Sequence, residues 1–184
     1  MTETTLALCK TIFPGVAMWL AGMCASNQAL DMPVVNLGNP GVILQQEISI
    51  PMDEQYLFGV QFRFPNKAAY ESTTIAGQPN ATNPQTCTDA ERYAQLTAEE
   101  KKAVGAALEL EIVVSSLGGS VITSRRYSSR CLQSWGSLTK SRHFGSIALN
   151  KGNYRIRIVN HAPVTTEDGV VSTLFLVGAG AGYP

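Results

Sequence analysis

From Gln55 to Phe64 the chain reads Gln55-Tyr56-Leu57-Phe58-Gly59-Val60-Gln61-Phe62-Arg63-Phe64. Tyr56, Phe58, Val60, Phe62 and Phe64 share one parity, and Gln55, Gln61 and Arg63 share the other. Successive side chains of a strand point to opposite faces, so this run carries one large apolar face and one largely polar face. Five large residues on one face predict a core strand. The alternation with polar partners marks that face as core and not as a cofactor box. Upstream, Val42, Leu44, Ile48 and Ile50 share a parity against Gln45, Glu47 and Ser49, which predicts a second half-buried strand. Only Pro51, Met52, Asp53 and Glu54 separate the two runs, so they are expected to form a hairpin. Val34 to Gly41 reads as a loop with a turn at Asn39-Pro40-Gly41.

Downstream, Pro65 ends the aromatic strand, and Asn66 to Thr86 reads as a long polar loop, with a glycosylation-type triplet at Asn80-Ala81-Thr82. Thr88 to Val104 has helical composition; Thr97 and Glu100 have the spacing of a capping box, and Gly105 ends the segment. Strands resume with Leu108, Leu110, Ile112 and Val114 alternating with Glu109 and Glu111. Gly118-Gly119 predicts a turn, followed by a strand from Ser120 to Tyr127 with Val121 as its clearest core position. Ser128 to Ser141 reads as a loop and Phe144 to Leu149 as a short strand. After a turn at Asn150 to Asn153, Tyr154, Ile156 and Ile158 alternate with Arg155 and Arg157. The nearly continuous apolar run Val170 to Val177 suits a central strand, and Gly178 to Gly182 trails off as a flexible terminus. About seven short strands with turns between them, and no alternation of strands with helices, predict an antiparallel β-sandwich, immunoglobulin-like or jelly-roll-like, with a short helical insertion. The domain spans residues 34–178 and the insertion about 88–104.

The 184 residues carry 14 basic and 14 acidic side chains, which cancel. That balance argues against a nucleic-acid partner, because neutralising phosphates takes clustered cations. Residues 1–24 read as a leader: Lys10 precedes about a dozen apolar residues from Ile12 to Cys24, the length of a signal-peptide core and short of the roughly 20 residues of a membrane span. Leu20-Ala21-Gly22-Met23-Cys24 is similar to a bacterial lipobox, in which the cysteine thiol is acylated and anchors the protein. Met23 departs from the small residue that the motif places before the cysteine, so lipidation at Cys24, ordinary cleavage between Cys24 and Ala29, and a retained N-terminal helix buried in the fold stand as alternatives. Removing the leader leaves Cys87 and Cys131. Two cysteines in an exported domain suggest one disulfide, contributing roughly 4 kcal/mol in the chain-entropy picture; two free thiols are the alternative.

The C-terminal half carries an ordered set of features: Leu110 to Ser116, then Ser134-Trp135-Gly136, then Phe144 to Leu149, then Gly152 to Arg157, with Tyr56, Phe58 and Phe62 upstream. On these the chain resembles a family of small bacterial predicted lipoproteins of unknown function, domain of unknown function 5625. The resemblance covers roughly Val35 to Val177. It implies a β-sandwich behind a leader with a lipobox, and it supplies no catalytic residue.

No nucleophile–base or metal constellation stands out. His143 and His161 are the only histidines, too few for a metal site without other ligands, and no Gly-x-Ser-x-Gly elbow surrounds a serine. The densest basic cluster is Arg125, Arg126, Arg130, Lys140 and Arg142, interleaved with Tyr127 and Trp135. Arginine with aromatics is the composition of binding hot spots, so these seven residues are the candidate partner-binding set, against the plainer reading of a solvated loop. The sequence thus predicts an exported, envelope-associated binding protein facing the periplasm, without catalytic activity or cofactor. Its partner would be a protein, with a membrane contact through Cys24 if that residue is acylated. An immunity protein neutralising a toxin delivered to the periplasm, and an enzyme of unrecognised type, are the alternatives.

Overall fold

The computed structural model describes residues 33–79 and 90–178. The leader, Cys24, the Asn80 triplet, Cys87 and the final glycine run lie outside the described residues. Nine strands and three short helices follow one another in the described chain. They are β1 (Val34–Val35), β2 (Gly41–Ile50), β3 (Glu54–Arg63), α1 (Lys67–Ser72), α2 (Ala90–Gln95), α3 (Ala98–Val104), β4 (Leu108–Ser116), β5 (Val121–Ser129), β6 (Ser134–Trp135), β7 (Thr139–Leu149), β8 (Gly152–Asn160) and β9 (Val171–Gly178). They form two antiparallel sheets, ordered β1-β9-β3-β7-β6 and β2-β8-β4-β5. The architecture is an antiparallel β-sandwich.

β3 is the centre of the first sheet, paired with β7 on one side and β9 on the other. Its aromatic face is core: Tyr56, Phe58, Val60, Phe62 and Phe64 are all buried. Across the gap stand Ile48 and Ile50 of β2, Leu108, Leu110, Ile112 and Val114 of β4, and Ile156 and Ile158 of β8. Removing an aromatic from such a core costs about 3–5 kcal/mol, since transfer and cavity costs add.

The expected β2–β3 hairpin does not form. β2 pairs with β8 and β3 pairs with β7, so Pro51 to Asp53 carries the chain from one sheet to the other. Two strands that each present a strong apolar face bury both faces best by facing one another, and side-by-side pairing would not achieve that. Two core positions also differ from expectation. Val42 is 53% exposed and Val121 is 63% exposed. Each sits next to a bulge, between Val42 and Leu44 in β2 and opposite Val114–Ser115 in β5. One extra residue inverts the side-chain parity beyond it.

The polar segment after Pro65 holds a helix that alternation could not reveal. Asn66 caps α1, its Oδ1 accepting from Ala69 N at 2.9 Å. The capping box at α3 forms as expected: Thr97 Oγ1 accepts from Glu100 N, and Glu100 accepts from Thr97 N at 2.8 Å. These bonds to Thr97 hold the Glu100 carboxyl below the usual carboxylate range. Gly105 follows with φ +107°, and its backbone presses on Gly77, where an added Cβ would meet Val104 O at 2.1 Å. Two backbone bonds seal the approach, Gln78 N to Ala103 O at 2.7 Å and Ala106 N to Ile75 O at 3.2 Å. The strap 75–78 and the end of α3 therefore run together over the β7 end of the first sheet.

Candidate partner-binding surface

The seven residues singled out from the sequence divide into two groups. Arg125 and Arg126 are exposed on β5, the edge strand of the second sheet. Arg126 pairs with Glu109 on the neighbouring β4. Arg130 is half-buried, with its guanidinium 5.8 Å from the Tyr93 ring centroid. Trp135 lies on β6, a two-residue edge strand of the first sheet, with 56% of its surface exposed. Tyr127 is committed to packing. Its ring lies against Phe58 at 6.1 Å and over Gly145, where an added Cβ would come within 2.7 Å, and its hydroxyl donates to Ser146 O at 3.2 Å.

Lys140 and Arg142 do not belong to a surface at all: both are fully buried. β7 skips Phe144 in its pairing with β3, so that Phe58 faces Gly145 while Gly59 faces His143. Beyond that bulge Val60 faces Arg142 and Phe62 faces Lys140, so both cations point to the core face. Arg142 donates through Nη1 to Ile75 O at 2.9 Å and to Ala106 O, and through Nη2 to Ser129 O. Burial pulls its pKa down, but three carbonyl acceptors hold the guanidinium charged. Lys140 donates to Gly77 O at 2.8 Å and Gln78 Oε1 at 3.3 Å, and its ammonium stands 4.5 Å from the Tyr70 ring centroid. Burial pushes Lys140 down to about 8, with the Glu167 carboxylate opposing the shift. The two cations tie the strap and the start of β4 to the first sheet; they are internal fasteners.

Two residues that no local pattern marks join the surface. Tyr93 of α2 meets Arg130, and Lys101 of α3 meets Tyr93: the Lys101 ammonium is 5.9 Å from the Tyr93 ring and donates to Ala94 O at 3.0 Å. Tyr93 anchors the group by donating to Gly105 O at 2.9 Å. A tyrosine face between two cations is a cation–π arrangement. No local pattern announces it, because Tyr93 and Arg130 come from different elements of the chain.

The histidines are apart. His161 Nε2 lies 2.9 Å from Glu111 Oε2 on β4. Hydrogen bonds from Ser124 and then His161 lower the Glu111 carboxyl. His143 is half-buried on the first sheet, edge-on to Phe175, and desolvation lowers it. Among the described residues no three His, Cys, Asp or Glu side chains are grouped to hold a metal ion. An apolar cleft opens between Leu44, Ile48 and Ile158 of one sheet and Phe58, Leu174 and Leu176 of the other, with a volume of about 20 Å³. That is room for about one water and not for a cofactor. Cys131 is buried and disulfide-bonded.

Comparison with known proteins agrees with this architecture. The family model described as "Domain of unknown function (DUF5625)" matches residues 31–178, and the chain belongs to that family. A solved structure from Sulfurospirillum deleyianum is 15% identical, covering 83% of this chain and 98% of that one with a TM-score of 0.60. At that identity the likeness is one of fold. A chain of infectious bursal disease virus aligns with a TM-score of 0.29 at 11% identity, over 86% of this chain and 34% of that one. No curated protein matches.

Proposed function

We propose that this member of the domain-of-unknown-function family is an exported, envelope-associated protein that acts by binding a protein partner and not by catalysis. Two features support export: the apolar leader ahead of residue 24, and a disulfide at Cys131, a bond that persists in oxidising compartments. Cys87 is the partner cysteine in this reading, and Cys24 the residue for a lipid anchor. The observation that carries the binding role is Trp135, a large aromatic more than half exposed on a short edge strand. Arg130 and Lys101 stand against Tyr93, and Arg125 and Arg126 add exposed cations on β5, so the partner in this reading presents an acidic face with a pocket for an indole.

Affinity capture of the tagged full chain from its envelope fraction, followed by mass spectrometry, tests this. The wild-type chain is expected to retain a stoichiometric partner, and Trp135→Ala or Arg130→Ala to lose it with the thermal midpoint unchanged. Retention by both variants would remove the surface from consideration. Turnover of a substrate that disappears with His143→Ala or His161→Ala would replace the binding role with catalysis.

A further inference from the structure

The margins of the two sheets differ. The first sheet ends in β1 and β6, two residues each, too short to template a strand. The second ends in β2 and β5, of 10 and 9 residues. β2 carries a single charged side chain, Glu47, and Arg155 of the neighbouring β8 holds it at 3.0 Å. β5 carries two, Arg125 and Arg126, both exposed. Its ladder with β4 runs without a break from Thr123 opposite Val114 to Ser129 opposite Leu108. Among the described residues no other strand pairs with β5. One row of its backbone N–H and C=O groups therefore faces outward in the plane of the sheet.

The two arginines sit at opposite faces of that edge. Arg125 lies opposite Ile112, on the parity of the buried core of β4, and makes no ion pair among the described residues. Arg126 lies opposite Glu111 on the outer face and bonds the next carboxylate along β4, Glu109. A cation of inward parity on an edge strand guards against indiscriminate pairing. A second copy of β5 is refused, because pairing centred on the arginines puts like charges opposite one another. An acidic strand meets the same charges as attraction. A guanidinium donates through several N–H groups, so Arg126 can serve Glu109 and a second carboxylate together. Ser124 and Ser128, the outer-face neighbours of Arg126, are too short to cover the backbone edge.

We propose that β5 is a strand-addition site: a partner protein lays an extended segment along residues 123–128, with two consecutive acidic residues opposite Arg125 and Arg126; this rests on the partner-binding reading above. Consecutive residues of a strand point to opposite faces, so the two arginines are met by neighbouring acids, one on each face. Main-chain hydrogen bonds along the edge hold the segment, and the arginine pair selects it.

The test titrates the full chain into a fluorescently labelled peptide of about eight residues, Thr and Val alternating around a central Asp-Glu, and reads anisotropy. Comparison peptides carry N-methyl groups on every second backbone amide, in one peptide on the odd positions and in another on the even ones, or Lys-Lys in place of Asp-Glu. An added strand turns one set of its amides to β5 and the other set away. Strand addition therefore expects the Asp-Glu peptide to bind, one N-methylated peptide to bind about tenfold more weakly than the other, and the Lys-Lys peptide not to bind. Arg125→Glu, with its thermal midpoint unchanged, is expected to weaken binding about tenfold, and Arg125→Lys to keep most of it. Asp-Glu binding that neither N-methylated set changes overturns strand addition and leaves an acidic partner standing. Absence of binding overturns strand addition as well. The partner reading is then judged separately by envelope capture, where a partner kept by Arg125→Glu and lost from Trp135→Ala upholds that reading without β5.

Discussion

β5 and β7 each carry two cationic side chains in a serine-rich stretch, and the fold treats them in opposite ways. Arg125 and Arg126 stand in water on an edge strand, and Arg126 meets a carboxylate, Glu109. Lys140 and Arg142 are sealed in the core and meet only carbonyl, amide and aromatic partners. Charge alone therefore does not decide exposure. The bulge at Phe144 sets the parity of β7, and the strap 75–78 with the end of α3 supplies the acceptors and the cover. Arg142 still has an Nε buried without a partner, so even its satisfaction is incomplete.

The contrast is broken most forcefully at Arg142. Arg142→Leu removes the donor to Ala106 O and Ser129 O in a site with no water access, and about 3–5 kcal/mol of stability should be lost in a urea titration. A loss below 1 kcal/mol would mean that the buried cation is dispensable. Cys131, in the connection from β5 to β6, comes next. Cys131→Ser should cost about 2–4 kcal/mol under oxidising conditions, and a reductant should bring the wild-type chain to the same midpoint. If Cys87 is the partner, Cys87→Ser has the same effect and the double variant adds nothing; additive losses would assign the pairing elsewhere.

Lys140 gives a pH signature. Its folded-state pKa is about 8 against 10.5 for the free side chain. Between those values the unfolded chain binds more protons than the folded one, so stability rises with pH. The full rise is up to about 3 kcal/mol, most of it between pH 8 and 10. Tyr56 and Tyr70, whose pKa values are raised by burial, oppose it only above pH 10. In Lys140→Met the rise between pH 8 and 9 should vanish, leaving only the rise above pH 9 that the lowered Arg142 contributes. An unchanged slope would show that the ammonium is hydrated in solution.

The same bulges explain what could and could not be read from the sequence. The aromatic strand β3, the capping box at Thr97 and the turns at Gly118-Gly119 and Asn150-Lys151 were legible because each is written in a few contiguous residues. Two misplacements, Val42 and Val121, lie beside a residue that the pairing skips, Ile43 and Ile122; Lys140 and Arg142 were missed because residues 128–141 read as a loop and the strand as beginning at Phe144, the residue that the β7 pairing skips. Period-two reading carries one parity through a strand, and nothing local marks the extra residue. The β2–β3 hairpin failed for a different reason: a three-residue break fits a turn within a sheet or a crossing between sheets, and only the opposing apolar faces choose. Of the candidate surface, Arg130 and Trp135 were legible as residue types, whereas Tyr93 reaches Arg130, and Lys101 reaches Tyr93, through tertiary contact alone.

The smallest effect is expected on the exposed side of the comparison. In the Arg126–Glu109 pair 58% and 33% of the side chains remain accessible, so water and salt screen the attraction and ordering two long side chains offsets much of the rest. Arg126→Ala should change stability by less than about 0.5 kcal/mol, and the change should shrink further at high ionic strength. Partner capture should weaken more than stability does, because an interface desolvates the guanidinium that the free protein leaves in water. A stability loss above about 1 kcal/mol, insensitive to salt, would place Arg126 with Arg142 as a structural cation, and the division between an exposed binding strand and an internal fastening strand would no longer hold.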